Sequence, residues 1–156
     1  MRVGIGYDIH RLAVGRKLWL GGVEIPSEAG LEGHSDADVV VHAIMDALLG
    51  AAALGDIGHY FPPDDERYRG ASSLDLLARV RDIVSAEGYA VENVDVVVVA
   101  ESPRIAPHVA DMRRRISAVL GVSFDGVSVK ATTNEGMGPE GRREAISARA
   151  VTLLQR

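Results

Sequence analysis

The N-terminal stretch of the chain alternates. From Val3 to His10, Val3, Ile5, Tyr7 and Ile9 fall on one side of an extended backbone, and Gly4, Gly6, Asp8 and His10 on the other. This predicts a strand whose first side is core. Its second side has no bulk until it reaches a carboxylate and an imidazole aimed the same way. The two glycines leave room for a ligand or for close packing of neighbouring backbone, and the pattern does not choose between them. Two short apolar runs, Lys17 to Leu20 and Val23 to Ile25, flank Gly21-Gly22 and predict a hairpin closed by Pro26. Ser35, with Asp38 three residues on, resembles a capping box opening a helix that runs to about Leu54. That helix is apolar nearly all round and is expected to be buried. A second helix runs from Ser72 to about Glu87, with Leu74, Leu77, Val80 and Val84 inward, and Gly88 stops it. Asn93 to Ala100 is a nearly continuous apolar run, expected to be a central strand buried on both faces. Pro107 opens a helix with Val109, Met112, Ile116, Val119 and Leu120 as its stripe and Gly121 as its stop. Strands at Val127 to Thr133 and Ala145 to Leu154 complete the chain.

The order of elements predicts an α+β layer with helices on one side of a mixed sheet. Val97, Val99 and the last strand are too apolar for water, so the bare sheet face is expected to meet other copies of the chain.

Composition narrows the classes. At 156 residues, 47% hydrophobic and 25% charged, the chain suits one globular domain with a real core. A net charge of −5 leaves no basic stripe for nucleic acid, and Arg113-Arg114-Arg115 is expected to be a solvated helix face. No cysteine is present, so any zinc must be held by His and carboxylate. The most apolar window, Val39 to Leu54, contains His42 and Asp46 and is too short to span a bilayer. With no signal-peptide pattern, the expectation is a cytoplasmic protein with no membrane or nucleic-acid partner.

The candidate chemistry lies where polar residues break apolar patterns. Asp38, His42 and Asp46 are spaced i, i+4, i+8 and share a face of the buried helix. Burying them without partners is costly, so something polar must meet that face. The Asp8-Ile9-His10 strand fits. Asp8, His10 and His42 would then be three protein ligands with a fourth position open, the arrangement of a catalytic zinc. A core histidine satisfied by hydrogen bonds is the competing reading of His42. Asp46, a turn beyond, is expected to accept an imidazole N–H. Gly55-Asp56-Ile57-Gly58 ends the helix in an irregular segment, either a simple cap or a backbone that approaches a ligand. Gly136 to Gly141 matches G-x-G-x-x-G formally, but Pro139 sits inside it and a strand follows, so a dinucleotide site is rejected. A glycine-rich loop carrying Glu135 and Arg142 remains, suited to phosphate or to a hard cation.

Several runs, in order, resemble one family. Gly6-Tyr7-Asp8-Ile9-His10, His34-Ser35-Asp36-Ala37-Asp38, Ala47 to Gly58 with its Gly-Asp-Ile-Gly, Asn93-Val94-Asp95-Val96, and Val129-Lys130-Ala131-Thr132-Thr133-Asn134-Glu135 are similar to the 2-C-methyl-D-erythritol 2,4-cyclodiphosphate synthases. The resemblance implies a single catalytic domain over residues 1–156 with a ferredoxin-like two-layer sandwich. It implies a homotrimer whose sheets face the threefold axis, with active sites between subunits. The implied reaction converts 4-diphosphocytidyl-2-C-methyl-D-erythritol 2-phosphate to the cyclic diphosphate and CMP, in non-mevalonate isoprenoid biosynthesis. Zinc would be held by Asp8, His10 and His42, and magnesium or manganese by Glu135. His34 and Thr133 match catalytic positions. Ser35, Asp56 and Gly58 match contacts to the methylerythritol phosphate, and Ala100, Arg104, Ile105, Ala106 and Thr132 match the cytidine pocket. Asp8, His10, Ile57, Phe61, Asp65, Thr133, Asn134, Glu135 and Arg142 complete the implied substrate contacts. Arg104 stands where lysine is common, and Pro139 where a bulky apolar residue is common. Two readings from other classes compete: a trimeric ligand-sensing module without chemistry, and a phosphohydrolase using zinc to activate water.

Overall fold

In a computed structural model that describes residues 1–156, the alternating N-terminal segment forms one long strand, β1 (Arg2–Val14). The hairpin strands β2 (Leu18–Leu20) and β3 (Val23–Ile25) pair as a separate two-stranded ribbon around Gly21-Gly22. A short strand missing from the sequence reading, β4 (Ala29–Leu31), pairs antiparallel with the end of β1. Then come α1 (Val39–Ala52), a one-turn helix α2 (Ile57–Tyr60), and α3 (Ser73–Ala86). β5 (Ala90–Val99), α4 (Val109–Leu120) and β6 (Val127–Thr132) follow. A second single turn, α5 (Gly138–Gly141), and β7 (Ala145–Gln155) close the chain.

The main sheet has the order β4-β1-β7-β5-β6. Only β5 and β6 run parallel, joined by the crossover helix α4, and the other pairs are antiparallel. The architecture is therefore α+β with a mixed sheet. α1 lies on β1 and β7, α4 on β6, and α3 packs on the helices, all on one side of the sheet. The core sits between these layers. Ile44, Met45, Leu48 and Leu49 of α1 are sealed, as are Leu77 of α3, Met112 and Ile116 of α4, and Ile146 of β7. Each buried side chain of this size contributes about 1.5–3 kcal/mol by leaving water. No helix is long and apolar enough to cross a membrane.

Four sequence expectations are corrected here. The Val3, Ile5, Tyr7 and Ile9 side of β1 is not core within one chain: these residues are 69%, 72%, 47% and 37% exposed. The Gly4 and Gly6 side is the one covered, because α1 lies directly on it. A Cβ on Gly6 would sit 1.9 Å from the Ala43 carbonyl oxygen, and one on Gly4 2.0 Å from that of Ala47. The glycines thus serve helix packing and leave no space for a ligand. β5 is fully covered on one face, with Val94, Val96 and Val98 buried, while on the other Val97 is only partly covered and Val99 alone, at the strand end, is buried. Lastly, Asp38 itself, not Ser35, caps α1, its carboxylate accepting from Val40 and Val41 N–H; the helix ends at Ala52 with Ala53 left-handed, close to the expected end.

The basic cluster on α4 is split. Arg113 donates to the Val127 carbonyl (2.6 Å) and stacks on Phe124, while Arg114 and Arg115 face solvent. The glycine-rich loop is tied down by its α5 turn. Glu140, buried, accepts from the Ser147 hydroxyl (2.6 Å) and holds the turn against β7.

Candidate functional site

β1 leaves the packed glycines at Gly6 and reaches Asp8 and His10 just beyond the Ala43 end of α1, where His42 projects. The three converge on one atom. Asp8 Oδ2 lies 2.9 Å from His10 Nε2 and 3.0 Å from His42 Nδ1. One donor atom from each lies within 4.8 Å of the others.

The outer nitrogens decide what faces inward. His10 Nδ1 is hydrogen-bonded to the Glu32 carbonyl, which can only accept, so this nitrogen carries the proton and Nε2 offers a lone pair. His42 Nε2 is 3.0 Å from Ser73 Oγ and 3.3 Å from Ser35 Oγ. The Ser73 hydroxyl donates to Asp36, so it accepts from His42 Nε2–H, and His42 Nδ1 also offers a lone pair. Two imidazole lone pairs therefore point at one carboxylate oxygen. Such an arrangement repels unless a positive charge lies between, and the donor set of one carboxylate and two neutral imidazoles suits zinc. Burial works against the charged forms, but the mutual hydrogen bonds and attraction win: Asp8 is held well below the ordinary carboxylate range, with both histidines contributing, and His10 is raised by Asp8.

Asp8, His10 and His42 form one end of a cleft of about 240 Å³. His34, Ser35, Ile57, Gly58 and Phe61, all named among the site residues that the resemblance implies, line it too. Met45, Pro63, Tyr68 and Leu76 add walls that the sequence reading had not assigned. His34 Nε2 donates to the Asp65 carbonyl (2.9 Å), which fixes the ring against the far wall. Asp56 and Asp65 stand beside the cleft with their carboxylates engaged locally. Asp56 caps α2 through His59 N–H, and Asp65 pairs with Arg67.

Asp46 does not meet an imidazole. Its carboxylate accepts from Ile57 N–H (2.8 Å) and pins the start of α2, the turn that carries Ile57 and Gly58 into the cleft. Asp38 also faces away, accepting from Gly21 (2.9 Å) and Gly22 (2.7 Å) N–H at the hairpin turn. Of the three polar residues on α1, His42 alone meets β1. The partner of its outer nitrogen is Ser73, which the sequence reading left as helix scaffold; the only signal was two serines at the start of α3.

The remaining candidates lie elsewhere. Ala100, Arg104, Ile105, Ala106, Thr132 and Thr133 line a second cleft at the far edge of the sheet. Asn134 and Glu135 continue from it, with the Thr133 hydroxyl 3.3 Å from Glu135 Oε1. Glu101, within the run from Ala100 to Ala106, accepts from Asn134 N–H (3.0 Å) and Gly136 N–H (3.2 Å) and shapes that loop. Arg142 is exposed and pairs with Glu144 (3.0 Å). The register runs Asp8 to Ala148 to Val98 to Ala131, so the two clefts are three strand spacings, about 14 Å, apart. No residue lines both.

Known proteins are similar to this chain along its whole length. A synthase of Symbiobacterium thermophilum named 2-C-methyl-D-erythritol 2,4-cyclodiphosphate synthase is 63% identical over 154 residues, covering 99% of this chain and 98% of that one. One of the same name from a Cyanothece species is 62% identical, covering 99% and 96%. A solved structure described as 2C-methyl-D-erythritol-2,4-cyclodiphosphate synthase, bound form CDP, superposes with a TM-score of 0.91 at 38% identity, covering 99% of this chain and all of that one. The model of the YgbB family matches residues 1–155, and with full-length relatives at this identity the chain belongs to that family, the one that includes the 2-C-methyl-D-erythritol 2,4-cyclodiphosphate synthases.

Proposed function

We propose that this chain converts 4-diphosphocytidyl-2-C-methyl-D-erythritol 2-phosphate to 2-C-methyl-D-erythritol 2,4-cyclodiphosphate and CMP, as one catalytic domain over residues 1–156. The observation that carries this reading is the convergence of Asp8, His10 and His42, lone pairs inward, at the end of an open cleft in a chain of this family. Zinc is the ion these donors suit, and magnesium or manganese suits the exposed oxygen of Glu135. Divalent cations held by Asp8, His10 and His42 and by Glu135 would supply charge neutralisation at the phosphates and polarisation of the β-phosphorus.

The chain's own work is positioning. The attacking group is an oxygen of the substrate's 2-phosphate, anionic at neutral pH, so no protein nucleophile is needed. A P–O bond forms to the β-phosphorus as the bond to the α-phosphate oxygen breaks, and CMP leaves with that electron pair. Ser35 and the backbone of Ile57 and Gly58 are placed to seat the methylerythritol phosphate, with Asp56 and Asp65 flanking them. Phe61 and Tyr68 form an apolar wall that keeps water from the reacting anions. His34, with Nε2 held by Asp65, has Nδ1 left to donate to a phosphoryl oxygen in its imidazolium form. Ala100 to Ala106 and Thr132 form the cytidine side, where Arg104 supplies the cation in place of lysine. Thr133 donates as charge spreads over the phosphoryl oxygens, and Asn134 and Arg142 extend the phosphate contacts.

The 14 Å between the clefts supports a ferredoxin-like homotrimer in which the metal cleft of one copy meets the cytidine cleft of the next. The uncovered sheet face supplies the apolar surface for such an assembly. The test is incubation with the cytidyl substrate and Mg²⁺, followed by phosphorus NMR. Cyclic diphosphate with CMP is the expected product. Open-chain phosphates would identify a hydrolase, and absence of turnover a binding module. His42→Ala is expected to lower kcat/KM by at least about a hundredfold and to remove most bound zinc; full activity with normal zinc content would overturn the site.

A further inference from the structure

The His42 ring is held by a hydrogen-bonded chain that runs from buried Ser73 to half-buried Asp36, outside the cleft. His42 Nε2–H donates to Ser73 Oγ, and the Ser73 hydroxyl donates to Asp36 Oδ1. Asp36 is itself fixed. Its other oxygen accepts from Ser73 N–H (2.9 Å), Oδ1 accepts from Asp38 N–H (3.2 Å), and its backbone N–H donates to the Ala71 carbonyl (3.2 Å). Ser73 has no exposed surface and His42 is 8% exposed, so the hydrogen bond between these two side chains is closed to water.

From this geometry we propose that Ser73, backed by Asp36, is the positioning residue that selects which nitrogen of His42 is offered to the cation. The inference rests on the reading of Asp8, His10 and His42 as a metal centre. A serine hydroxyl has one proton, and a carboxylate can only accept. The Asp36 carboxylate takes that proton, which leaves Ser73 Oγ an acceptor toward His42. The imidazole must then carry its proton on Nε2, and Nδ1 is left bare toward Asp8 Oδ2. Ser35 Oγ, 3.3 Å from the same nitrogen, accepts from Ala37 N–H but has no carboxylate to take its own proton, so it can donate to Nε2 as readily as accept and does not enforce the choice. His10 reaches the same state through a backbone carbonyl. The two ligand histidines are thus locked by unlike devices, one dependent on side chains at the start of α3 and one on the main chain beside β4. Only the first can be removed by a single substitution away from the ligands.

The test uses the full-length protein and zinc alone. Chelator competition gives zinc affinity for the unmodified chain, Ser73→Ala and Ser73→Thr. Proton–nitrogen NMR of the zinc-loaded protein follows solvent exchange of the His42 Nε2–H. Ser73→Ala is expected to weaken zinc binding by about 10–100-fold and to expose Nε2–H to fast exchange, and Ser73→Thr, which keeps the hydroxyl, to restore both. The proposal is overturned if Ser73→Ala lowers the melting temperature of the metal-free protein but leaves affinity unchanged, since that is a role confined to packing α3. It is equally overturned if His42 Nε2–H of the unmodified, zinc-loaded protein exchanges freely, a measurement that does not depend on any variant folding. Failure of the unmodified protein to take up zinc rejects the metal centre itself, which is a different outcome from normal uptake with an indifferent Ser73→Ala.

Discussion

Asp8 shows how one residue can make the site respond to pH in two opposite ways. In the metal-free protein Asp8 is depressed below its usual 3.8 and His10 raised above 6.5, with burial opposing both shifts and their mutual pairing prevailing. The depressed carboxyl contributes stability above pH 3.8 and loses it as pH falls further; the raised imidazole contributes below 6.5 and loses it as pH rises through its folded value. The metal-free pair is therefore most stabilising between those two values. A cation needs His10 unprotonated, so protons compete with it from above pH 6.5 downward, at about tenfold in affinity per pH unit for that proton. The rise in melting temperature on adding zinc is expected to shrink as pH is lowered from about 8 to about 5.5, while the metal-free protein does not lose stability over that range. Differential scanning calorimetry at both ends reads the crossing. Of the other polar residues on α1, Asp38 is fully buried and accepts four backbone N–H groups. Asp38→Ala leaves all four without a partner and is expected to cost on the order of 3 kcal/mol in chemical denaturation. The ligand triad was legible in the sequence because period 2 on a strand and period 3.6 on a helix each fix which side chains share a face. The partners of the outer nitrogens were not, because Glu32 and Ser73 reach His10 and His42 only through tertiary placement, and no local period links them.

At the scale of elements, α1 lies on β1 because β1 has no side chains beneath it. Gly4 and Gly6 bring the helix backbone onto the strand, and that closeness is what lets His42 reach Asp8 on the next inward position. A methyl at Gly6 would meet the Ala43 carbonyl oxygen and the Ala47 amide, backbone atoms that move only if the helix moves. Gly6→Ala is expected to destabilise by about 3 kcal/mol and to loosen zinc binding at the same time, because the shift separates His42 from Asp8. Denaturation midpoint and chelator competition, measured on one preparation, check both. A loss of stability with unchanged affinity would show that the ligands do not depend on this contact. The principal helices and all but one of the strands were legible in advance, since each carries its own period and breaker. The assignment of faces on β1 came out reversed. A row of Val, Ile, Tyr and Ile looks like core, and whether it faces helices or another copy of the chain is decided by the rest of the molecule. β4, α2 and α5, each a few residues long, lack the length for any period to show.

For the whole molecule, the separation of the two clefts yields the sharpest test of assembly. The ligand triad sits on β1 and α1, while Thr133 and Glu135 follow β6, three strands away. If each catalytic unit joins the metal cleft of one copy to the cytidine cleft of its neighbour, damage to the two halves can be placed on different chains and undone by mixing. His42→Ala disables the metal half and Glu135→Ala the other half, and each variant alone is expected to be nearly inactive. In trimers reassembled from equal amounts of the two, a unit works only when its metal half comes from a Glu135→Ala chain and its other half from a His42→Ala chain. Random assembly makes that so for about one unit in four, so about a quarter of the unmodified activity should return. Sites complete within one chain would recover nothing, because every chain carries a lesion. The same mixture followed by sizing chromatography with light scattering must show trimers, since the bare face of Val3, Ile5 and Tyr7 has to be covered for the clefts to meet. Recovery near a quarter in a trimeric fraction, and none in monomers of either variant, would place the reaction between copies of the chain.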